Sequence, residues 1–346
     1  MSEPIARIRV PFYEGQLDNV VAAIRDGQLA RGPHLGRLES ELCAMFGKRH
    51  ALLTVNGFAA LFATLKALGT GDAPVLTAAA GTCFAMVNAI KAAGREVAFA
   101  DLDAGSFGIG DLRGLQAGGR LAAAVVPDHF GRIAPACRRP LADGALLVED
   151  AAQAFLSRRH VATAADVVVL SFYPTKLANG IDGGAILTDL TELYETMHQL
   201  AGYEEQYEFE PAARFNLGMS NLHAAFALGT LAEIDGIEQR LLDRHAALLA
   251  TAVDCGLRVA APAPGEVPSR FIVECTDRAA CDRMLTQLER CGVQASRELI
   301  WLCPAAERGR HPVAARLVDC TLSLPFHPLL SDREIERIGA ALRSLR

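Results

Sequence analysis

The feature that most constrains the fold is an alternation of short apolar strands with amphipathic helices over the first 187 residues. The strands contain few polar positions, as is typical of strands buried on both faces of a parallel sheet. The predicted strands are 50–55, 74–77, 97–100, 121–126, 145–150, 167–170 and 185–187. This order predicts a mostly parallel central sheet with helices on both sides. Ligands of such sheets bind at the carboxyl ends of the strands.

The size of the chain fits one large domain and one smaller domain. Its 346 residues are 51% hydrophobic and 21% charged, so it can bury a large core. Beyond the stiff linker 262–265, a shorter α/β pattern follows, with a strand at 271–273 and a helix at 279–291. We predict a large domain over residues 1–236 and a smaller C-terminal α/β domain over residues 237–346.

Charge and cysteine usage exclude several classes of protein. The net charge of -6 gives no general reason to bind nucleic acid or an anionic membrane, and an anionic substrate would need local cations. We find no long uncharged apolar run and no signal-peptide pattern, which predicts a cytoplasmic protein without a membrane span. The nine cysteines are spread singly without a C-x-x-C pair, which argues against a disulfide framework or a zinc site. We therefore predict no metal.

One lysine stands at a chemically informative place. The segment 171–176, SFYPTK, follows the buried strand 167–170, and Pro174 ends that strand because proline cannot donate to the ladder. Lys176 therefore lies on the turn past a buried strand. A lysine in such a pocket can lose its proton and attack a carbonyl. A solvated loop lysine is the alternative, and this stretch alone leaves both open.

A carboxylate at the neighbouring strand end favours the functional alternative. Strand 145–150 ends in Glu149 and Asp150. Pyridoxal 5'-phosphate (PLP) needs a lysine to bind its carbonyl carbon and an aspartate to keep its ring nitrogen protonated. The segments 149–153 (EDAAQ), 171–176 and 182–184 (DGG) together resemble the DegT/DnrJ/EryC1/StrS family of PLP-dependent aminotransferases. The resemblance covers nearly the whole chain.

The resemblance implies a fold, a reaction and an assembly. The fold would be PLP-dependent fold type I, which is similar to aspartate aminotransferase. The reaction would transfer an amino group, in the family usually from glutamate, to a keto-sugar that is most often nucleotide-linked, or to a related cyclic ketone. The family also implies a homodimer with shared active sites, because the segment that carries Asn216 crosses to the neighbouring subunit.

The resemblance also assigns catalytic roles to individual residues. Lys176 would hold the cofactor and move a proton, and Asp150 would hold the ring nitrogen. Gln153 would contact the ring oxygen. His129 follows strand 121–126 and would lie near the cofactor, where a histidine could assist proton movement or orient a substrate. A structural histidine that caps the loop is the alternative for His129.

A second group of residues is expected to bind the cofactor phosphate. Gly57 lies at a strand-to-helix turn, where backbone N–H groups and a helix N-terminus favour an anion. By resemblance, the Gly57 and Phe58 amides, Ser171 and the partner subunit's Asn216 would take the phosphate. Arg31, on a Gly-Pro link at the expected entrance, is a candidate for an anionic substrate, with a solvated surface arginine as the alternative.

Three positions depart from the family pattern. Phe58 replaces a threonine or serine, Cys83 stands where an aromatic residue covers the pyridine ring, and Gly218 replaces an arginine. Either Phe84 or Phe58 compensates for Cys83, or the ring is held more loosely. Two alternative functions therefore remain. One is another PLP reaction such as sugar dehydration, although the dehydratases of this family replace the lysine with histidine. The other is a non-catalytic binding or regulatory relative.

Overall fold

The computed structural model describes residues 3–110, 112, 120–141, 144–203 and 213–345. The helices of these residues are α1 Glu14–Arg25, α2 Pro33–Phe46, α3 Gly57–Lys66, α4 Ala85–Ala92, α5 Phe155–His160, α6 Thr191–Ala201, α7 Asn221–Leu231, α8 Ile234–Asp254, α9 Arg278–Arg290, α10 Pro312–Cys320 and α11 Asp332–Arg343. The strands are β1 His50–Thr54, β2 Val75–Ala78, β3 Ala80–Gly81, β4 Val97–Ala100, β5 Ala123–Pro127, β6 Leu146–Asp150, β7 Val167–Ser171, β8 Gly184–Thr188, β9 Arg258–Val259, β10 Phe271–Glu274, β11 Ile300–Trp301 and β12 Thr321–Leu324. None of the described helices is long and apolar enough to cross a membrane.

The central sheet has seven strands in the order β1-β8-β7-β6-β5-β2-β4. Strands β7, β6, β5, β2 and β4 are parallel, whereas β8 runs antiparallel to both of its neighbours. The prediction of a mostly parallel sheet is confirmed. Since β1 points the same way as the parallel strands, the carboxyl ends of β1, β5, β6 and β7 lie at one edge.

Close backbone packing brings three chain segments together at that edge. Gly184, the first residue of β8, pairs with Thr54 of β1 on one side and with Ser171 of β7 on the other. A Cβ at Gly184 would lie 2.6 Å from the Asn56 carbonyl oxygen and 2.7 Å from the Gly57 nitrogen. Only glycine permits this approach. The start of α3 is thereby held against the ends of β7 and β8.

Helix α3 begins at this edge because Asn56 caps it. The Asn56 side chain accepts a hydrogen bond of 2.8 Å from the Ala59 N–H, which satisfies one of the free donors of the first turn. The helix has ten residues, of which six are buried, so it is anchored by packing on more than one side. Its N-terminus therefore has a fixed position next to the loop after β7.

The C-terminal part forms a separate small sheet that packs close to the same edge. Strands β9, β10 and β12 are antiparallel, with β10 in the middle. Strand β11 pairs with β3 through Ile300 and Gly81 in a two-stranded sheet, and so ties this part to the segment that follows β2 of the central sheet. Near the N-terminus, Ile5 bridges to Val293. Helix α8 runs through residue 236, and the division of domains at 236/237 stays a prediction.

Candidate active site

Lys176 lies in the loop after β7, in a turn closed by its own N–H, which donates to the Tyr173 carbonyl at 2.8 Å. The side chain is half-buried and lines a small cavity together with Gln153, Thr175 and Arg270. Burial lowers the pKa of Lys176, and the charge of Asp150 opposes that shift. The amine is therefore easier to deprotonate than a surface lysine, as a nucleophile requires.

Asp150 ends β6, and its carboxylate faces Lys176. Burial raises the pKa of Asp150, whereas the positive charge of Lys176 lowers it. The Ala152 N–H also donates to Oδ1 at 3.1 Å and favours the ionised form. The predicted lysine and aspartate are thus neighbours, as two adjacent strand ends of a parallel sheet require.

Gln153 connects the two sides of the site. Its Nε2 donates to Thr82 Oγ1 at 2.7 Å, and its Oε1 accepts from the Phe130 N–H at 3.1 Å. These two bonds fix the plane of the amide beside the Lys176 cavity. Thr82, which the sequence reading missed, therefore positions Gln153, and a threonine after a glycine in an irregular segment gives no local signal of that role.

His129 is buried beyond the end of β5. Its Nδ1 lies 2.8 Å from the Phe107 carbonyl, which only accepts, so Nδ1 carries the hydrogen. Burial, together with the charge of Lys176, lowers the pKa of His129 to about 4. The ring is therefore neutral at pH 7. Its Nε2 is buried without a hydrogen-bond partner among the described residues, and a Cβ at Gly81 would lie 3.2 Å from it.

A second glycine shapes the expected anion site. A Cβ on Gly57 would lie 3.1 Å from Ser171 Cβ and 3.4 Å from Ser171 Oγ. The absence of a side chain at residue 57 lets the N-terminus of α3 approach Ser171 closely. Backbone N–H groups, a hydroxyl and the positive end of a helix are thus combined at one place, a combination that favours a phosphate.

Three other residues from the sequence analysis lie further out. Asn216 and Gly218 are exposed beside the end of β1, where the Val55 N–H donates to the Leu217 carbonyl at 2.7 Å. Among the described residues, no atom would lie within 4 Å of a Cβ at Gly218. Arg31 is also exposed. The segment around Asn216 is therefore accessible from outside this chain.

The two candidate aromatic residues face different neighbours. Phe58 is 39% exposed and its ring stacks on Phe62 with centroids 6.4 Å apart. Phe84 lines a groove with Phe99 and Trp301. Cys83 is exposed and lies near Lys176.

Arg270 is the second residue that the sequence reading missed. It precedes β10 of the small sheet, yet it lines the same cavity as Lys176. Its position is set by the packing of the C-terminal part against the central sheet. No local pattern around residues 268–270 indicates that packing.

Comparison with known proteins gives a consistent result. A model of the DegT/DnrJ/EryC1/StrS aminotransferase family matches residues 13–343. A dTDP-3-amino-3,4,6-trideoxy-alpha-D-glucose transaminase from Streptomyces venezuelae is 29% identical over 99% of this chain and 98% of its own length. The spore coat polysaccharide biosynthesis protein SpsC from Bacillus subtilis is 30% identical over 65% of this chain and 63% of its own length.

A solved structure shows the same architecture. The PMP-form of the putative sugar aminotransferase Spr1654 from Streptococcus pneumoniae superposes with a TM-score of 0.88 at 18% identity, over 99% of this chain and 97% of that chain. The same protein has also been solved in a PLP-form. The predicted fold class, fold type I with a smaller C-terminal α/β part, is confirmed.

Proposed function

Because the chain belongs to the DegT/DnrJ/EryC1/StrS aminotransferase family, we propose that it is a PLP-dependent aminotransferase that aminates a keto-sugar. The observation that carries this proposal is the proximity of the Lys176 amine to the Asp150 carboxylate, beyond the ends of the adjacent strands β7 and β6. Burial shifts the pKa of the lysine downward and that of the aspartate upward, while each charge opposes the shift of the other. Paired groups of this kind in a cleft mark functional sites.

The residues of the cavity fit PLP. Lys176 offers an amine that burial makes easier to deprotonate. Asp150 offers a carboxylate at the end of β6, the strand that pairs with β7. The close approach of Gly57 to Ser171 brings the Ser171 hydroxyl next to the N-terminus of α3, a combination of donors that suits a phosphate. The unpartnered Nε2 of His129 gives a polar ligand a buried hydrogen-bond acceptor.

The cofactor, when bound, supplies an electron-accepting ring that lets an amino group move between two carbon skeletons. Lys176 would hold it and then carry a proton between the donor carbon and the cofactor, since its Nζ is free once the donor has taken its place. Asp150 would hold a proton on the ring nitrogen. Gln153, held by Thr82 and the Phe130 N–H, would orient the ring oxygen.

The substrates follow from the relatives. The full-length relative from Streptomyces venezuelae is named for a dTDP-linked amino sugar. We propose that the acceptor here is likewise a keto-sugar linked to a nucleotide, with a related cyclic ketone as the alternative, and that glutamate is the amino donor. The open space at Gly218 is where the family arginine would stand, so the acceptor is expected to be held by other groups at this point.

We further propose that the active unit is a homodimer with shared sites. Large apolar side chains are exposed around the site: Phe58 is 39% exposed, Tyr173 53% and Ile181 48%. A second copy that covers them would bring the exposed Asn216 of one subunit towards the Gly57 and Ser171 cradle of its partner. Location in the cytoplasm stays a prediction from the sequence.

Reduction with borohydride tests the cofactor assignment. The purified protein loaded with PLP should be yellow, and borohydride should fix a pyridoxyl group to Lys176, as located by mass spectrometry of the peptides. A label on another residue, or no label in a saturated sample, would remove the assignment. The cofactor loses its visible absorbance when it is aminated. The keto-sugar that restores this absorbance would then identify the acceptor.

Subunit mixing tests the shared site. Lys176→Ala and Asn216→Asp are each expected to be inactive, and mixing them under exchange conditions creates one site with wild-type residues at both positions. Activity should partly return. No recovery despite proven exchange would mean that Asn216 serves the site of its own chain.

A further inference from the structure

We propose that Arg270 is a carboxylate-binding subsite that receives the α-carboxylate of the amino donor. This inference rests on the proposed function and adds the residue that would select an amino acid over a simple amine. Because the net charge of the chain is -6, an anionic substrate needs a local cation, and Arg270 would be that cation.

The position of Arg270 supports this role. Its side chain is 11% exposed and lines the cavity with Lys176, Gln153 and Thr175. Nη1 donates to the Ser269 carbonyl at 2.7 Å, which anchors one edge of the guanidinium. Nε is buried without a hydrogen-bond partner among the described residues. A buried donor without a partner costs free energy, which a ligand acceptor can recover.

The charges around Arg270 favour an anion. The only acidic oxygen paired with it in the described part of the chain is Glu298 Oε1, 4.0 Å from Nε. That same oxygen accepts a hydrogen bond from Arg7, so one carboxylate serves two guanidinium groups. The cluster of Arg7, Arg270 and Glu298 therefore carries one net positive charge. Arg270 and Lys176 line the same cavity, and the charge of Arg270 lowers the pKa of Lys176.

The chemistry of the donor matches this arrangement. An amino donor must present its nitrogen at Lys176, and its α-carboxylate is separated from that nitrogen by a single carbon. The planar fork of an arginine suits a carboxylate, whereas a lysine offers only a point charge. The 2-oxo acid that leaves carries the same carboxylate, so Arg270 would bind both donor and product.

Glutamate and 4-aminobutyrate form a matched pair for the first test, because they differ in the α-carboxylate alone. The PLP-loaded wild type and Arg270→Gln are titrated with each amine, and the loss of visible cofactor absorbance is followed. Arg270→Gln should raise the half-saturating glutamate concentration about 10- to 100-fold, the range of a charge-assisted hydrogen bond, and leave 4-aminobutyrate unchanged. Arg270→Lys should lie between the two. Equal glutamate titrations of wild type and Arg270→Gln would overturn the inference.

A second measurement needs no cofactor and no turnover. In the cofactor-free protein, glutarate should raise Tm in the wild type but not in Arg270→Gln, because a ligand that binds only the folded state stabilises it. Inorganic phosphate, which we expect at Gly57 and Ser171, should raise Tm in both. Arg278→Gln, an exposed arginine of the small sheet region paired with Asp319, serves as the control and should respond as the wild type does. An equal glutarate response in Arg270→Gln would also overturn the inference.

The two measurements separate this inference from the proposed function. If glutarate binding depends on Arg270 while no amine alters the cofactor of the wild type, the subsite is supported and the aminotransferase proposal fails. If glutamate converts the cofactor in both the wild type and Arg270→Gln with equal affinity, the aminotransferase proposal is supported and the subsite is refuted.

Discussion

Two adjacent carboxylates at the end of β6, Glu149 and Asp150, lie on opposite faces of the sheet and have different surroundings. Asp150 is half-buried and lies close enough to Lys176 for the two charges to act on each other. Glu149 is fully buried, forms an ion pair with Arg158 at 3.0 Å and accepts from Thr163 Oγ1 at 2.7 Å. The first carboxylate is partly accessible, whereas the second has its partners within the protein.

The Glu149 side also contains Asp128 and Cys137. Potential ligand atoms of these three residues lie within 4.8 Å of one another, which is the one group of this kind in the described part of the chain. Burial raises the pKa of Asp128 well above its ordinary value, and the neighbouring Glu149 raises it further. A proton on Asp128 can therefore be donated to Glu149, which gives both carboxyl groups a partner without a metal ion.

The difference shows that residue type does not decide role. Both acids end the same buried strand, and both are close to a cation. Glu149 is fully buried and has its ionic and hydrogen-bond partners, Arg158 and Thr163, within the protein, so it acts on stability. Asp150 and Lys176 are both half-buried, and Lys176 lines a cavity, so they can act on a ligand.

Lys176→Ala should have the largest effect on the open side. The rate should fall by at least about 10⁴-fold, because the group that holds the cofactor and carries the proton is removed. Folding should be retained, as judged by circular dichroism and Tm. Lys91→Ala, an exposed lysine on α4, is the control and should keep wild-type activity. Substantial activity in Lys176→Ala would contradict the assignment.

Glu149→Ala should have the largest effect on the closed side. It leaves the buried Arg158 without its carboxylate, which costs about 3–5 kcal/mol of unfolding free energy. Asp150→Asn, one residue further on, should change that free energy by less than about 1 kcal/mol, because its surroundings are partly solvated. Urea unfolding of both variants measures the contrast. Equal losses would show that the two sides do not differ in the way described.

Asp150→Asn should instead change the chemistry of Lys176. The charge of Asp150 raises the pKa of Lys176 against the effect of burial, so the pKa of Lys176 should fall further in this variant. The pH dependence of Lys176 acylation in the cofactor-free protein measures that pKa. In the loaded enzyme we expect a loss of rate of about 10²- to 10⁴-fold. An unchanged acylation profile would place the carboxylate too far from the lysine to act on it.

Asp128→Asn should have the smallest effect, which should appear mainly as a change in the pH dependence of stability. The pKa of Asp128 is raised in the folded state. Asp128 therefore contributes its full stabilisation below the ordinary carboxyl range, and this contribution is lost as pH rises through the raised pKa. Asparagine can accept from the Ala134 N–H, which now donates to Asp128 Oδ1 at 2.8 Å, and can donate to Glu149 without losing a proton.

Asp128→Asn should therefore lose this decline of stability with rising pH. At pH 7 its free energy of unfolding should equal that of the wild type within about 1 kcal/mol. Asp128→Ala is the control and should be less stable at every pH because it removes both bonds. Denaturant unfolding between pH 4 and 8 measures the slopes. A wild-type slope in Asp128→Asn would mean that another group titrates.

Much of the site was predictable because it lies at strand ends. Apolar runs identify buried parallel strands, and the polar residues that follow them must meet at one edge, which gives Asp150, His129 and Lys176. Thr82 and Arg270 were not predictable in this way. Thr82 acts through a bond to Gln153, which lies 71 residues further along the chain, and Arg270 reaches the cavity from a different sheet.

The sequence by itself determined the strand order along the chain, the lysine and carboxylate at neighbouring strand ends, and membership of one aminotransferase family. It did so because burial imposes apolar periodicity and because one cofactor chemistry demands one pair of residue types. Only the tertiary structure decided that Asp150 acts on Lys176 while Glu149 pairs with Arg158, and that Arg270 lines the same cavity as Lys176. Alternate side chains of a strand point to opposite faces, and which face stays open depends on how distant segments pack.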